Sequence, residues 1–183
     1  MGRPKAGLPL YPGSDVTFLQ RLEKVTRGLG CERAVVTSLP PGDLRIDLPH
    51  VLQENPEKGQ LSSLLLGWEA FGGSHPWVMV CLVDHPYVSR TTLERLVRFT
   101  RETPEAMMWS LSHQRRGGHP AVFSRHLMSR LAKAPLEEGA RPVVRALGTS
   151  RRFLEVEDPA VLWDVDTPRD YDQFASLFQA ARV

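Results

Sequence analysis

Two stretches carry carboxylates in positions where they could do chemistry. Asp84 closes the apolar run "WVMVCLV" and is followed by His85, Pro86 and, at Ser89, a hydroxyl able to open a helix. Asp164 and Asp166 stand two apart in "LWDVDTPRDYDQF", which puts them on the same side of an extended segment. A carboxylate just beyond the C-terminal end of a strand faces the crevice where open parallel sheets bind ligands. It is oxygen-rich, partly solvated and suited to holding Mg2+ on a phosphorylated substrate. The same residues also have simpler uses: Asp84 can start a turn with Pro86 or cap the helix after Ser89, and Asp166 favours the positive end of a helix capped by Thr167. Two separate carboxylate segments suggest one shared cation.

Other residues could meet phosphates or a nucleotide. Gly2 permits close backbone approach, and Lys5 offers a point positive charge for phosphate oxygens. In "QENPEKGQLSSLLLG", Gly59, Ser62 and Ser63 open a helix whose free N–H groups and hydroxyls could face a nucleotide, although serines there also serve as ordinary caps. "RRGGHPAVFSRH" sets His119 and Pro120 after a glycine pair and before an apolar strand, and "EEGARPVV" places Gly139 and Arg141 at a helix start. No serine–histidine–acid arrangement and no cysteine or histidine spacing suited to zinc is recognisable.

The elements that must position these residues alternate. Helical spacing of Val16, Leu19, Leu22, Val25 and Leu29 predicts a first helix, capped by Ser14 or Asp15 and stopped by Gly28 or Gly30. "ERAVVTS" reads as a strand, with a weaker one at Val51 and Leu52. "GQLSSLLLGWEAF" then reads as a helix, "WVMVCLV" as a strand and "SRTTLERLVRFTRET" as an amphipathic helix. "AMMWSLS" and "RRFLEVE" are further strands, helices fit 124–133 and 137–147, and "TPRDYDQFASLFQAA" is a closing helix with Thr167 as cap and Pro168 in its first turn. Because "WVMVCLV" is apolar on both alternate faces, helices must cover both sides of it. The expected fold class is α/β: a Rossmann-like three-layer sandwich around a mostly parallel central sheet.

With 183 residues, the chain reads as one domain, 1–183. A net charge of +2 gives no argument for nucleic acid or a membrane surface as partner, and small ligands are expected instead. No apolar run reaches the roughly 20 residues of a membrane span. Cys31 and Cys81 both sit in apolar, strand-like runs and are expected to be free thiols, consistent with a cytoplasmic protein.

Taken in order, "MGRPKAGLPL", "NPEKGQLSSLLLG", "LVDHPYVS", "GGHPAVFSRHL", "EEGARPVVRAL" and "DVDTPRDYDQF" resemble the MobA-like nucleotidyltransferases, most closely the molybdenum cofactor cytidylyltransferases. The resemblance implies a nucleotide-diphospho-sugar transferase-like fold. It also implies Mg2+-dependent transfer of a nucleotidyl group from CTP, or from GTP in a sister branch, to a phosphorylated acceptor such as the molybdopterin cofactor, with release of pyrophosphate. A molybdoenzyme or its chaperone is the implied protein partner. By the same resemblance Lys5 holds the triphosphate with Gly2 and Arg3 in the same loop, and Asn55, Gly59, Ser62 and Ser63 form the base and ribose segment. Asp84 binds the metal with Asp166, or Asp164, as partner, and Gly118, His119, Pro120 and Arg141 lie towards the acceptor. Family members begin with a strand and a glycine-rich loop of the form L-A-A-G-x-S-x-R ahead of M-G-x-x-K, and this sequence opens at that methionine. The reading favours a true start upstream of Met1, with a truncated, non-catalytic cofactor- or partner-binding paralogue as the alternative.

Overall fold

The computed structural model describes residues 4–43 and 45–181, so Gly2 and Arg3 lie outside the described residues. Strands and helices alternate as the sequence predicts: α1 (Phe18–Thr26), β1 (Val35–Thr37), β2 (His50–Leu52), α2 (Gly59–Phe71), β3 (Trp77–Val80), α3 (Arg90–Glu102), β4 (Met108–His113), β5 (Arg116–Ser124), α4 (Arg125–Leu131), α5 (Arg141–Arg145), β6 (Arg151–Glu155) and α6 (Pro168–Ala180).

The strands form two sheets, a parallel β1–β2 pair and a four-stranded sheet in the order β3-β5-β4-β6. β5 runs antiparallel to both β3 and β4, and β4 runs parallel to β6, so three of the four strands point the same way and only β5 is reversed. Alternation along the strands explains the three layers. Trp77 and Met79 of β3, Trp109 and Leu111 of β4 and Val122 of β5 pack on one face with Leu22, Val25, Leu93 and Leu96 of α1 and α3. Their neighbours Val78, Val80, Met108, Ala121 and Phe123 pack on the other with Leu61, Leu127 and Leu131 of α2 and α4. Each fully buried Leu or Val contributes about 1.5–3 kcal/mol, so these two faces hold most of the core energy.

Between the two sheets lies a cavity of about 1630 Å³, walled by Val35 and Val36 of β1 on one side and by β3 on the other. Helix α2 spans it: Leu61 and Leu64 reach the β3 side, and Gly67 meets the Cγ2 of Val36 so closely that a Cβ there would have to displace it.

Several local expectations are corrected. The first helix is capped by Thr17, whose hydroxyl accepts the Gln20 N–H while the Gln20 side chain accepts the Thr17 N–H; Ser14 instead closes a turn on Val16. Cys31 lies in the loop between α1 and β1 and Cys81 one residue past β3, although both are free thiols as expected. The predicted 137–147 helix is interrupted at Gly139, whose φ of 65° leaves a 3-10 turn at Leu136–Glu138 and only the short α5. Among the described residues no helix is long and apolar enough to cross a membrane.

Candidate active site

A third apolar cluster holds the two acidic segments together. Phe18, Tyr87, Ala160, Val165 and Ala175 are buried against one another, with Trp163, Phe174 and Phe178 packed around them. This cluster fastens α6 and the 159–162 turn to the loop after β3. The main chain completes the link, because the Val165 N–H donates to the Asp84 carbonyl at 2.9 Å. Asp158 adds a polar clamp: its carboxylate accepts the Ser89 N–H at 3.0 Å, the Thr92 hydroxyl at 2.7 Å and the Ala160 N–H at 3.1 Å. One carboxylate thus ties the start of α3 to the turn that leads into Asp164.

Lys5 enters this junction. Its Nζ donates to Asp166 Oδ1 at 2.6 Å and lies 3.4 Å from Asp84 Oδ2. Burial works against its charge, but the Asp166 hydrogen bond and the charges of both aspartates outweigh that and hold the ammonium above the ordinary lysine range. One atom from each of Asp84, His85 and Asp164 lies within 4.8 Å of the other two, a spacing compatible with a shared metal ion. Asp84 Oδ1 and His85 Nδ1 are buried without a hydrogen-bond partner, which costs about 1–3 kcal/mol for each such group unless something else satisfies it. Burial, and then the charges of Asp84 and Asp166, raise the Asp164 carboxyl above its usual range. These residues fit a divalent cation chemically: two carboxylates and an imidazole, with orphaned electron pairs at the site. Asp166 is the carboxylate that Lys5 engages, while Asp164 is the one grouped with Asp84.

His85 and His119 face each other with ring centroids 5.0 Å apart. Burial lowers the His85 imidazole. Burial and then His85 depress His119 to about 4. The His119 ring is therefore neutral near pH 7. Gly118 has a packing reason as well: a Cβ there would collide with the Val161 carbonyl, so glycine lets the 159–162 turn approach β5.

On the other side of the cavity the structure supplies a residue that sequence reading missed. Gln53, only 8% exposed, donates through Nε2 to the hydroxyls of both Ser62 and Ser63 at 3.0 Å, and its Oε1 accepts the Asn55 N–H at 3.0 Å. It organises all three polar residues of the predicted base and ribose segment. Gly59, with φ of 82°, makes the turn into α2. Gly59, Ser63, Asp84, His119 and Arg141 all line the one cavity, whereas Asn55, Ser62, Gly118 and Pro120 do not. Pro120 instead sits within β5 beside His119, and Arg141 opens α5.

The family follows from comparison. Residues 1–153 match the MobA-like NTP transferase domain. The chain belongs to that family. Its class of chemistry is nucleotidyl transfer. No curated protein matches it. Among solved structures, Rv0371c from Mycobacterium tuberculosis H37Rv is 27% identical over 96% of this chain and 90% of its own, with a TM-score of 0.79. A second structure of Rv0371c, in complex with manganese, is 29% identical over 96% and 93%, with a TM-score of 0.75. The molybdopterin-guanine dinucleotide biosynthesis protein A of Archaeoglobus fulgidus (16% identical, TM-score 0.68, covering all of this chain and 93% of its own) shares the fold. So does the 2-C-methyl-D-erythritol 4-phosphate cytidylyltransferase of Thermus thermophilus (20% identical, TM-score 0.66, over 98% of this chain and 95% of its own). The α/β sandwich is thus of the nucleotide-diphospho-sugar transferase kind.

Proposed function

We propose that the chain transfers a cytidylyl group from CTP to a phosphorylated small-molecule acceptor of the molybdopterin type, releasing pyrophosphate. The observation that carries this reading is the convergence of Lys5, Asp84, Asp164 and Asp166 at the end of β3, beside a cavity that also reaches Gly59 and Ser63. A phosphate oxygen of the acceptor attacks the α-phosphorus, the bond between it and the bridging oxygen to the β-phosphorus breaks, and the pyrophosphate leaves with that electron pair. The nucleophile belongs to the substrate, so no covalent residue is needed, and the chain must supply only position and charge.

Lys5 would stabilise negative charge on the polyphosphate, a role supported by its ion pairs with Asp84 and Asp166 at the same junction. Asp84 and Asp164, or Asp166 once Lys5 turns to phosphate, would hold a divalent cation, Mg2+ in the simplest case. When bound, that ion draws charge from the triphosphate oxygens and aligns the reacting phosphorus. Gln53 fixes Ser62 and Ser63 at the start of α2, where hydroxyls and free N–H groups can meet the ribose and base. His119, beside His85, and Arg141, both lining the cavity, would face the acceptor.

The test is product analysis with CTP and GTP side by side, in Mg2+ and in Mn2+, with molybdopterin cofactor as acceptor. Cytidylyl product from the native chain, reduced at least about 100-fold in Asp84→Asn, is expected. A guanylyl product would move the chain to the sister branch, and no product with either nucleotide would overturn the reading.

A further inference from the structure

We propose that His85 is a nitrogen ligand of the cation site, and that it gives this chain a preference for Mn2+ over Mg2+. This rests on the reading of the acidic junction as a metal-dependent site, but its test does not depend on catalysis.

Three observations carry it. One ring nitrogen of His85 falls within 4.8 Å of a carboxylate oxygen of both Asp84 and Asp164, so the imidazole is inside the ligand cluster and not behind it. The side chain is only 6% exposed and its Nδ1 is buried with no hydrogen-bond partner. Asp84 Oδ1 is likewise buried and unpartnered, while Lys5 takes the other oxygen, Oδ2. A histidine placed there to orient its neighbouring carboxylate would donate to it, and no such bond is formed. A buried carboxylate oxygen and a buried ring nitrogen on adjacent residues, both without a hydrogen-bond partner, are what a cation satisfies when the ring carries its proton on the other nitrogen. Among the described residues the cluster is His85 with two carboxylates, and His119 is not in it.

The consequence is chemical. Mg2+ favours a shell of oxygens and gains little from an imidazole, whereas first-row transition ions accept nitrogen readily. Replacing one oxygen by His85 therefore shifts preference away from Mg2+ while leaving the remaining coordination positions for substrate oxygens.

Mn2+ binding to the nucleotide-free protein, followed by electron paramagnetic resonance with Mg2+ as competitor, reads this directly. One Mn2+ should bind about tenfold or more tightly than Mg2+, with a pulsed-resonance coupling to an imidazole nitrogen. In His85→Gln that coupling should vanish, and Mn2+ affinity should fall by about tenfold while Mg2+ affinity changes by less than about threefold. Absence of an imidazole coupling in the native protein overturns the proposal without any variant. It is overturned equally by persistence of the coupling in His85→Gln, or by no Mn2+ binding at all. Mn2+ held by carboxylates alone would sink His85 as a ligand and leave the transfer chemistry standing. A nitrogen-coupled Mn2+ in a protein that transfers nothing would do the reverse.

Discussion

At the scale of single residues, the acidic junction gathers like charges and sets one ammonium against them. Asp84, Asp164 and Asp166 converge, and Lys5 is the described cation hydrogen-bonded among them. His119 adds a pH dependence. Its folded-state value of about 4 lies below the ordinary 6.5 because burial disfavours the imidazolium. The unfolded chain therefore binds a proton that the folded chain refuses. The stabilisation is fully present above about pH 6.5, is lost progressively as pH falls, and stops changing below about 4. Melting temperatures recorded from pH 7.5 to 4.5 should fall less steeply in His119→Gln than in the native protein, and parallel curves would show that this ring does not govern acid stability. Asp84 was legible as a ligand candidate because a carboxylate after an all-apolar strand is easy to recognise. Gln53 was not, because nothing local in "HVLQEN" shows that its amide reaches two serines nine and ten residues on.

At the scale of elements, two segments distant in sequence are held in register by Asp158 and by the apolar cluster under α6. The start of α6 was legible in the sequence: Thr167 caps it, and the Asp170 carboxylate accepts the Thr167 N–H in return. Asp158 was not legible because its partners, Ser89 and Thr92, are 69 and 66 residues away. Asp158→Ala should cost about 2 kcal/mol or more in urea titration, since hydrogen bonds to a charged acceptor are the stronger kind, and it should also weaken Mn2+ binding by loosening the Asp164 segment from Asp84. Unchanged stability and metal affinity would show that the apolar cluster alone sets the register. The first helix makes a similar point: Ser14, Asp15 and Thr17 are all good caps by type, and only Thr17 has Gln20 three residues later to return the bond.

At the scale of the whole molecule, the alternation of helices and strands was readable because β3 is apolar on both faces while α1 and α3 each carry one buried stripe. The sheet order was not readable, because the reversed β5 depends on the tight turn at Gln114 and Arg115, both at positive φ, for which "SHQRRGG" gives no unambiguous signal. Among the described residues β1 and β3 are each paired on one edge only, to β2 and to β5, and residues of both strands line the cavity.

The central claim, metal-dependent handling of a nucleoside triphosphate at Asp84, is tested most directly by calorimetric titration of the native chain and of Asp84→Asn with CTP, in Mn2+, in Mg2+ and with the metal chelated. Binding should require metal, and Asp84→Asn should lose about tenfold or more of it. CTP binding that is equally strong without metal, or unchanged in Asp84→Asn, would contradict the site described.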